Sequence, residues 1–358
     1  MAAQETHYTL PLPVFERPVK LLIVVAPYYR DIADHLIAGA QAVAASLLSG
    51  QRAAVLLGNA AAQHPQAGAL LALAQWLGEQ TGASVGYLGE AANSVGAQWV
   101  GAQPQHRGLN AGQMLAAGGE IKAFLLLDVE PALDAADAAA ARAAMARAEM
   151  VVALTSFKSA AAEMADVMLP IAPFTETSGT FVNAEGRAQG FHGVVKPLGD
   201  TRPAWKVLRV LGNILGLAGF DFETSEDVRN AALGDADSAG RLDNKTTAAA
   251  AVPPVSNGGL ERLADVPIYA TDALVRRSPA LQSTTDGRAP VVGISPSLWQ
   301  QLGLVDGGKV RVSQGAAQAV LPVRADASLP ANVVRVAAGH ADTAALGAMF
   351  GPITVEKA

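Results

Sequence analysis

Through the first 216 residues, short apolar runs alternate with Ala-rich helical stretches, and this alternation limits the folds open to the chain more than any other feature. Apolar runs at 20–25, 53–58, 84–88, 122–127, 150–154 and 167–170 read as buried strands. Between them, 31–48, 65–81, 110–117 and 135–148 carry helical patterns long enough to serve as crossovers. Strands separated by helices predict a parallel sheet, so the expected fold class is α/β with a Rossmann-like sheet. A later helix is signalled by Asp200 or Thr201 as cap, Pro203 in the first turn, and Val207, Leu208, Leu211, Ile214 and Leu215 on one face, ending at Gly216. Another starts at Thr224, where Thr-Ser-Glu-Asp gives capping-box spacing from Thr224 to Asp227.

The pattern then changes. Residues 235–262 are small and polar, with Pro253, Pro254 and paired glycines, and read as a linker or a long surface loop. From Ala289 onward the chain is β-rich: 309–313 and 319–325 alternate around a turn with Gly315, 333–337 adds a strand, and 297–302 makes a short helix. This end of the chain predicts a small C-terminal β-barrel. The expected boundaries are 1–40, 41–234 for the α/β domain, 235–285 for the linker and 286–358 for the barrel.

Composition narrows the chemistry. A length of 358 residues with 51% hydrophobic content supports two or three domains with cores of their own. The net charge of −6, with 16% charged residues and no dense Lys/Arg run, lacks the electrostatic footprint of a nucleic-acid binder. No apolar run reaches the roughly 18 to 20 residues a bilayer requires, since 21–26 leads at once into Pro27, Tyr28, Tyr29 and Arg30. The amino terminus is mixed and polar where a secretion signal needs a basic start and an apolar run, so a cytoplasmic location is expected.

There is no Cys, which excludes within this chain a disulfide, a thiolate nucleophile, a Cys-type zinc site and a Cys-ligated iron–sulfur cluster. The six His residues, at positions 7, 35, 64, 106, 192 and 340, have no i, i+4 pair, and no metal site is expected. Neither His64 nor His340 sits in a nucleophile or carboxylate constellation, and Ser156, Ser159 and Ser178 lack the Gly-x-Ser-x-Gly context. Gly58-Asn59 follows a strand but lacks both glycine-rich nucleotide motifs. No catalytic residue is expected.

The most distinctive stretch is 169–217, with Glu176, Gly179, Thr180, Asn183, Glu185, Gly186, Arg187 and Gln189 in close order. It resembles the molybdopterin oxidoreductases and, in this wording, the carboxy-terminal part of the G subunit of bacterial NADH:quinone oxidoreductase. The stretches at 46–66, 90–97, 108–115, 125–131 and 153–174, and the terminal segment with GISPSLWQQLGLVDGGKVRV, resemble the same protein. In catalytic relatives, loops of this kind hold a pyranopterin dinucleotide through backbone N–H groups and amides. That resemblance makes Gly179, Thr180, Asn183, Glu185, Gly186, Arg187 and Gln189 the candidate, vestigial cofactor-binding residues.

Each also has an ordinary role open to it. Glu185-Gly186-Arg187 suits a turn with an internal ion pair, Asn183 a turn's backbone, and Gly179 a positive φ. The G-subunit resemblance implies a scaffold portion of the peripheral arm that carries electrons from NADH to quinone, without molybdopterin and without a redox centre of its own. Its iron–sulfur clusters would lie in an amino-terminal part this chain does not contain. Its partners would be other peripheral-arm subunits, with the inner membrane reached through the complex. The alternative is a molybdopterin-dependent oxidoreductase fragment.

Residues 14–40 resemble instead the first strand and helix of lumazine synthase, in which an aromatic just after the strand stacks on substrate; Tyr28 or Tyr29 would hold that place. The other walls of such a site are missing after Ala40, so a strand and helix capping the sheet, or a fusion, is the expectation. A lumazine-synthase-like protein is the more distant functional alternative.

Overall fold

The computed structural model describes residues 30–89, 91–116, 120–234, 242–250 and 258–358, with side chains from residue 37. The strand expected at 20–25, together with Tyr28 and Tyr29, lies outside these residues. The described residues fall into two compact units, one within 30–62, 66–88 and 244–250, the other within 63–65, 89–243 and 258–358.

In the first unit, helix α1 (Arg30–Ser49) leads into strand β1 (Ala54–Leu57), helices α2 (Asn59–Ala62) and α3 (Ala67–Thr81), and strand β2 (Ser84–Tyr87). Strands β1 and β2 pair in parallel from Ala54↔Ser84 to Leu57↔Tyr87. Helix α3 stops at Gly82, whose φ of 75° ends it in the left-handed region with its N–H bonded to the Gly78 carbonyl. Gly78 permits α3 to lie close on β2: a Cβ there would sit 2.7 Å from Val85 Cγ2. Part of the expected linker returns to this unit, since Asn244 Nδ2 donates to the Val85 carbonyl at 3.1 Å and Thr246 N donates to Gln75 Oε1 at 3.2 Å. Helix α1 runs unbroken across residue 40, where a domain boundary was expected.

The second unit begins with α4 (Ser94–Trp99) and α5 (Ala111–Ala116), then β3 (Ala123–Leu127), α6 (Pro131–Asp134), α7 (Ala138–Arg147), β4 (Met150–Thr155) and β5 (Val167–Pro170). The three strands form a parallel sheet in the order β3-β4-β5. The α/β expectation therefore holds as two separate parallel sheets rather than one. Asp137 caps α7 by accepting from Ala140 N at 2.9 Å. The helix lays Ala144 and Met145 on Phe124, Leu126, Val151 and Ala153 of the sheet. Leu125 and Leu127, on the other face of β3, remain 52% and 44% exposed, unlike the two-sided burial usual for parallel sheets.

The hairpin β6 (Gly179–Val182) and β7 (Ala188–Phe191) follows, then α8 (Ala204–Ile214) and α9 (Ser225–Leu233). Both reciprocal bonds of the Thr224–Asp227 capping box form. The remaining elements are β8 (Glu261–Leu263), α10 (Ala273–Arg276), α11 (Pro279–Gln282), β9 (Val292–Ile294), α12 (Pro296–Gln301), β10 (Lys309–Gln314), β11 (Ala317–Ala325), β12 (Val333–Arg335), β13 (Phe350–Pro352) and β14 (Thr354–Lys357). They make a mixed seven-stranded sheet ordered β13-β8-β12-β9-β11-β10-β14. Val292, Ile294, Val310, Val312, Val334 and Val336 fill its core.

The two end strands of that order, β13 and β14, are separated only by Ile353, a span of about 8 Å at most. The sheet must therefore curl until its edges approach, yet β13 and β14 do not pair. This is a half-barrel: the curl of the expected small barrel is present, without pairing between its two end strands. The expected start at 286 also moves, because β8 comes from the stretch read as linker and pairs with both β12 and β13. Its small, polar, proline-marked surroundings hid a three-residue strand. Among the described residues, no helix is long and apolar enough to cross a membrane.

Candidate functional site

The residues singled out by sequence fall on the β6–β7 hairpin and its loop, 183–187. Strand register decides which of them meet. Gly179 faces Phe191, Thr180 faces Gly190, Phe181 faces Gln189 and Val182 faces Ala188. Because side chains alternate along a strand, Gln189 shares a face with Phe181 and Phe191, and Thr180 shares the opposite face with buried Val182. Thr180 and Gln189 therefore cannot converge on one ligand. Phe181 and Phe191 meet edge to face at 4.9 Å.

Gly179 is needed for close approach, not for a positive φ: a Cβ there would lie 2.7 Å from Phe191 Cζ, and its φ is not in the left-handed region. In the loop, Asn183 Oδ1 accepts from Glu185 N at 3.0 Å and from Arg187 N at 2.9 Å. Gly186 N donates to the Asn183 carbonyl at 2.9 Å, and Gly186 takes a φ of 80°. Glu185 contacts Asn183 Nδ2 at 3.4 Å, and no ion pair joins it to Arg187. Asn183, Glu185, Gly186 and Arg187 are thus held together by the loop's own bonds. Glu176 accepts from Leu198 N at 2.9 Å, tying the hairpin's entry to the chain beyond it. Asn93, in the 90–97 motif, accepts from Val182 N at 2.8 Å and pins β6.

A second constellation was not found by sequence. It lies at the carboxyl end of β3-β4-β5, the end where open α/β sheets bind ligands. Asp128 follows β3 with a φ of 51°, uncommon for a residue with a side chain, and its N–H bonds the Leu154 carbonyl at 2.8 Å. Glu130, only 6% exposed, receives Arg276 at 2.9 Å and both terminal nitrogens of Arg277, at 2.6 and 2.9 Å. Arg276 also pairs with Asp134 and bonds the Ala270 carbonyl at 2.8 Å. Arg277 bonds the Ala273 carbonyl at 3.0 Å, reaches Ser159 at 3.4 Å and lies 4.7 Å over the Phe157 ring.

Burial works to raise the Glu130 pKa, but hydrogen bonds and charge from Arg277 and Arg276 prevail and hold it below the ordinary glutamate value. The bond to Glu130 in turn raises Arg277. Asp128 is pushed up, first by burial and then by the charges of Asp272, Asp134 and Glu130, against a backbone bond from Ser156. The Ser156 hydroxyl is buried there and, among the described residues, has no hydrogen-bond partner. An apolar groove of about 390 Å³, lined by Phe157, Phe174, Leu274, Val275, Arg277, Ser278 and Leu281, adjoins this edge. No hairpin residue lines it.

Farther on, Arg262 is 2% exposed and, among the described residues, has no carboxylate partner. It donates to the carbonyls of Val336, Ala337, Gly347 and Ala348 and to Gln314 Oε1, and burial lowers its pKa to about 10. It ties the 336–348 loop to β8. Among the described residues, no cluster of His, Asp and Glu could hold a metal ion.

A parallel α/β sheet, a pinned hairpin and a mixed half-barrel define a class also recognisable by comparison. The sequence pattern of the molybdopterin oxidoreductases matches residues 30–214. That is more than half of the chain, which belongs to this family. The match begins inside the stretch that resembles lumazine synthase. The chain is 43% identical over 115 residues to the G subunit of the NADH-quinone oxidoreductase of Streptomyces coelicolor, covering 31% of this chain and 14% of that protein. It is 33% identical over 132 residues to the probable oxidoreductase YjgC of Bacillus subtilis, covering 36% of this chain and 13% of that one. The matched stretches thus span only about an eighth to a seventh of these relatives. Among solved structures, acetylene hydratase from Pelobacter acetylenicus shares the fold, with a TM-score of 0.52 and 15% identity over 68% of this chain and 46% of that chain.

Proposed function

We propose that this chain is a scaffold portion of the G subunit of an NADH:quinone oxidoreductase. In this reading it is cytoplasmic, reaches the inner membrane through the complex, and packs against other peripheral-arm subunits. It holds no molybdopterin and passes no electron itself. One observation carries the reading: the signature loop commits its amides to Asn183, and the faces of the hairpin divide Thr180 from Gln189. Such a hairpin keeps the family's sequence for folding, with no set of donors left converging on a phosphate. The 43% identity to the Streptomyces protein favours the same direction.

Family membership and the similarity to YjgC favour a second reading, a molybdopterin-dependent oxidoreductase fragment. The two separate on metal and pterin analysis of the purified chain, together with co-purification with other peripheral-arm subunits of the complex. The scaffold reading expects neither molybdenum nor tungsten, and a stable complex with those subunits. A stoichiometric metal with released pterin would overturn it.

A further inference from the structure

We infer that residues 268–282 form a resident strap whose Arg276 and Arg277, clasped by Glu130, close the carboxyl edge of β3-β4-β5 against phosphate-bearing ligands. The inference concerns a different place from the signature hairpin and does not depend on the function proposed above.

The first ground is topological. Ligands of open α/β sheets enter at the carboxyl ends of the strands, and here that end is met by a segment about 140 residues later in the chain. The second is how the donors are used. Arg276 places Nε on the Ala270 carbonyl, Nη1 on Glu130 and Nη2 on Asp134. Arg277 places Nη1 on Glu130 and the Ala273 carbonyl, and Nη2 on Glu130 and Ser159. The planar forks that would recognise a phosphate are committed to a carboxylate of the same chain.

The third ground is charge. Glu130 and Asp134 pair with the two guanidinium groups, Asp128 feels the charges of Asp272, Asp134 and Glu130, and with exposed Lys158 after β4 the balance of these groups is negative. A dianionic group brought here would meet a negative balance of charge and an Arg277 already paired to Glu130. The strap is also built to stay. Asp272 caps α10 by accepting from Leu274 N at 2.8 Å and Val275 N at 2.9 Å, and Gln282 Nε2 donates to the carbonyls of Tyr269 and Val275 at 2.8 and 2.9 Å. These bonds preset the turn that presents both arginines. The Ser156 hydroxyl, without a partner among the described residues, is a neutral donor and cannot offset the carboxylates.

The test uses the full chain, with inorganic pyrophosphate as the anion probe and amide hydrogen exchange as the readout. In the unmodified chain, pyrophosphate at millimolar concentration should leave exchange at 128–134, 155–160 and 268–282 unchanged. Glu130→Gln should raise exchange across 268–282 at least tenfold, while Val151–Leu154 of β4 stay protected and report an intact sheet. Arg277→Gln, which removes the bidentate partner but leaves Glu130 to Arg276, should raise it less. If Glu130→Gln fails to fold, the Arg277→Gln comparison and the pyrophosphate measurement still decide. Protection of the edge by pyrophosphate in the unmodified chain would overturn the inference. So would strap exchange that neither substitution changes. Molybdopterin found in the chain with strap exchange as expected would sink the scaffold reading and leave this one standing.

Discussion

The β6–β7 hairpin and the Arg276–Arg277 strap both bring polar groups together, and they do so by opposite means. In the hairpin, the side-chain bonds of the loop among the described residues link positions within four of each other, with Asn183 at the centre of the turn. At the strap, Glu130 is joined to partners 146 and 147 residues away, and almost no solvent reaches it. The first arrangement is local and exposed. The second takes Glu130 out of water against two arginines, and it weakens most when Glu130, which both arginines share, is lost.

That contrast fixes the order of expected effects. Glu130→Ala leaves two guanidinium groups clustered without their shared counter-charge, and breaking a buried pair in this way costs about 3–5 kcal/mol. Urea denaturation followed by circular dichroism should show the loss as a lower midpoint. A loss below about 1 kcal/mol would mean that the clasp is solvated and that the two regions do not differ in kind.

Acid should reproduce part of this effect. Glu130 has a folded pKa below its ordinary value, so the stability it supplies is fully present above the unfolded glutamate pKa and lost as pH falls through the folded value. Asp128 has the opposite sign. Its raised pKa makes its ionised form a burden above the folded value, a burden that disappears on acidification through that value toward the unfolded one. Stability should therefore fall below about pH 4 in the unmodified chain, and Asp128→Asn should raise stability near neutrality without removing the acid limb. Glu130→Gln should flatten that limb. An acid limb of the same size in Glu130→Gln would assign it to other carboxylates.

On the hairpin, Gly179→Val drives a side chain into the Phe191 ring, for which overpacking costs about 1–3 kcal/mol. Asn183→Ala removes the acceptor of two loop amides that can turn to water, so about 1 kcal/mol is expected. Thermal melts would rank the two. If Asn183→Ala proved the costlier, the loop would be bearing on something beyond itself.

How much of this was legible in the sequence follows the same division. Strands β1 to β5, the α3 stop before Gly82 and the Thr224 capping box are local: apolar runs, a glycine and a four-residue spacing state them directly. The separation of the parallel strands into two sheets was not legible, because periodicity gives strand positions but not partners. Strand β8 was missed since three residues, Glu261-Arg262-Leu263, carry no readable alternation, and its value lies in pairing with β12 and β13. The signature residues could be located but not aimed. Only register shows that Thr180 and Gln189 point to opposite faces. The clasp left one trace, paired arginines at 276 and 277 after an Asp cap, and nothing local linked them to Glu130.

The smallest expected effect tests the hairpin most sharply. Arg187 and Gln189 lie at the surface, and among the described residues the Arg187 side chain makes no ion pair, so Arg187→Ala and Gln189→Ala should each change stability by less than about 0.5 kcal/mol. A fold-only role leaves no second property for these substitutions to disturb. If instead the hairpin held a cofactor, the same two substitutions would lower metal and pterin content while leaving the melting temperature untouched. Measuring both quantities on the same preparations separates the roles, because no packing argument links a surface side chain to metal content. Glu130→Ala would then serve as the control in the opposite sense: a large loss of stability at a place where, on the strap reading, no cofactor is held.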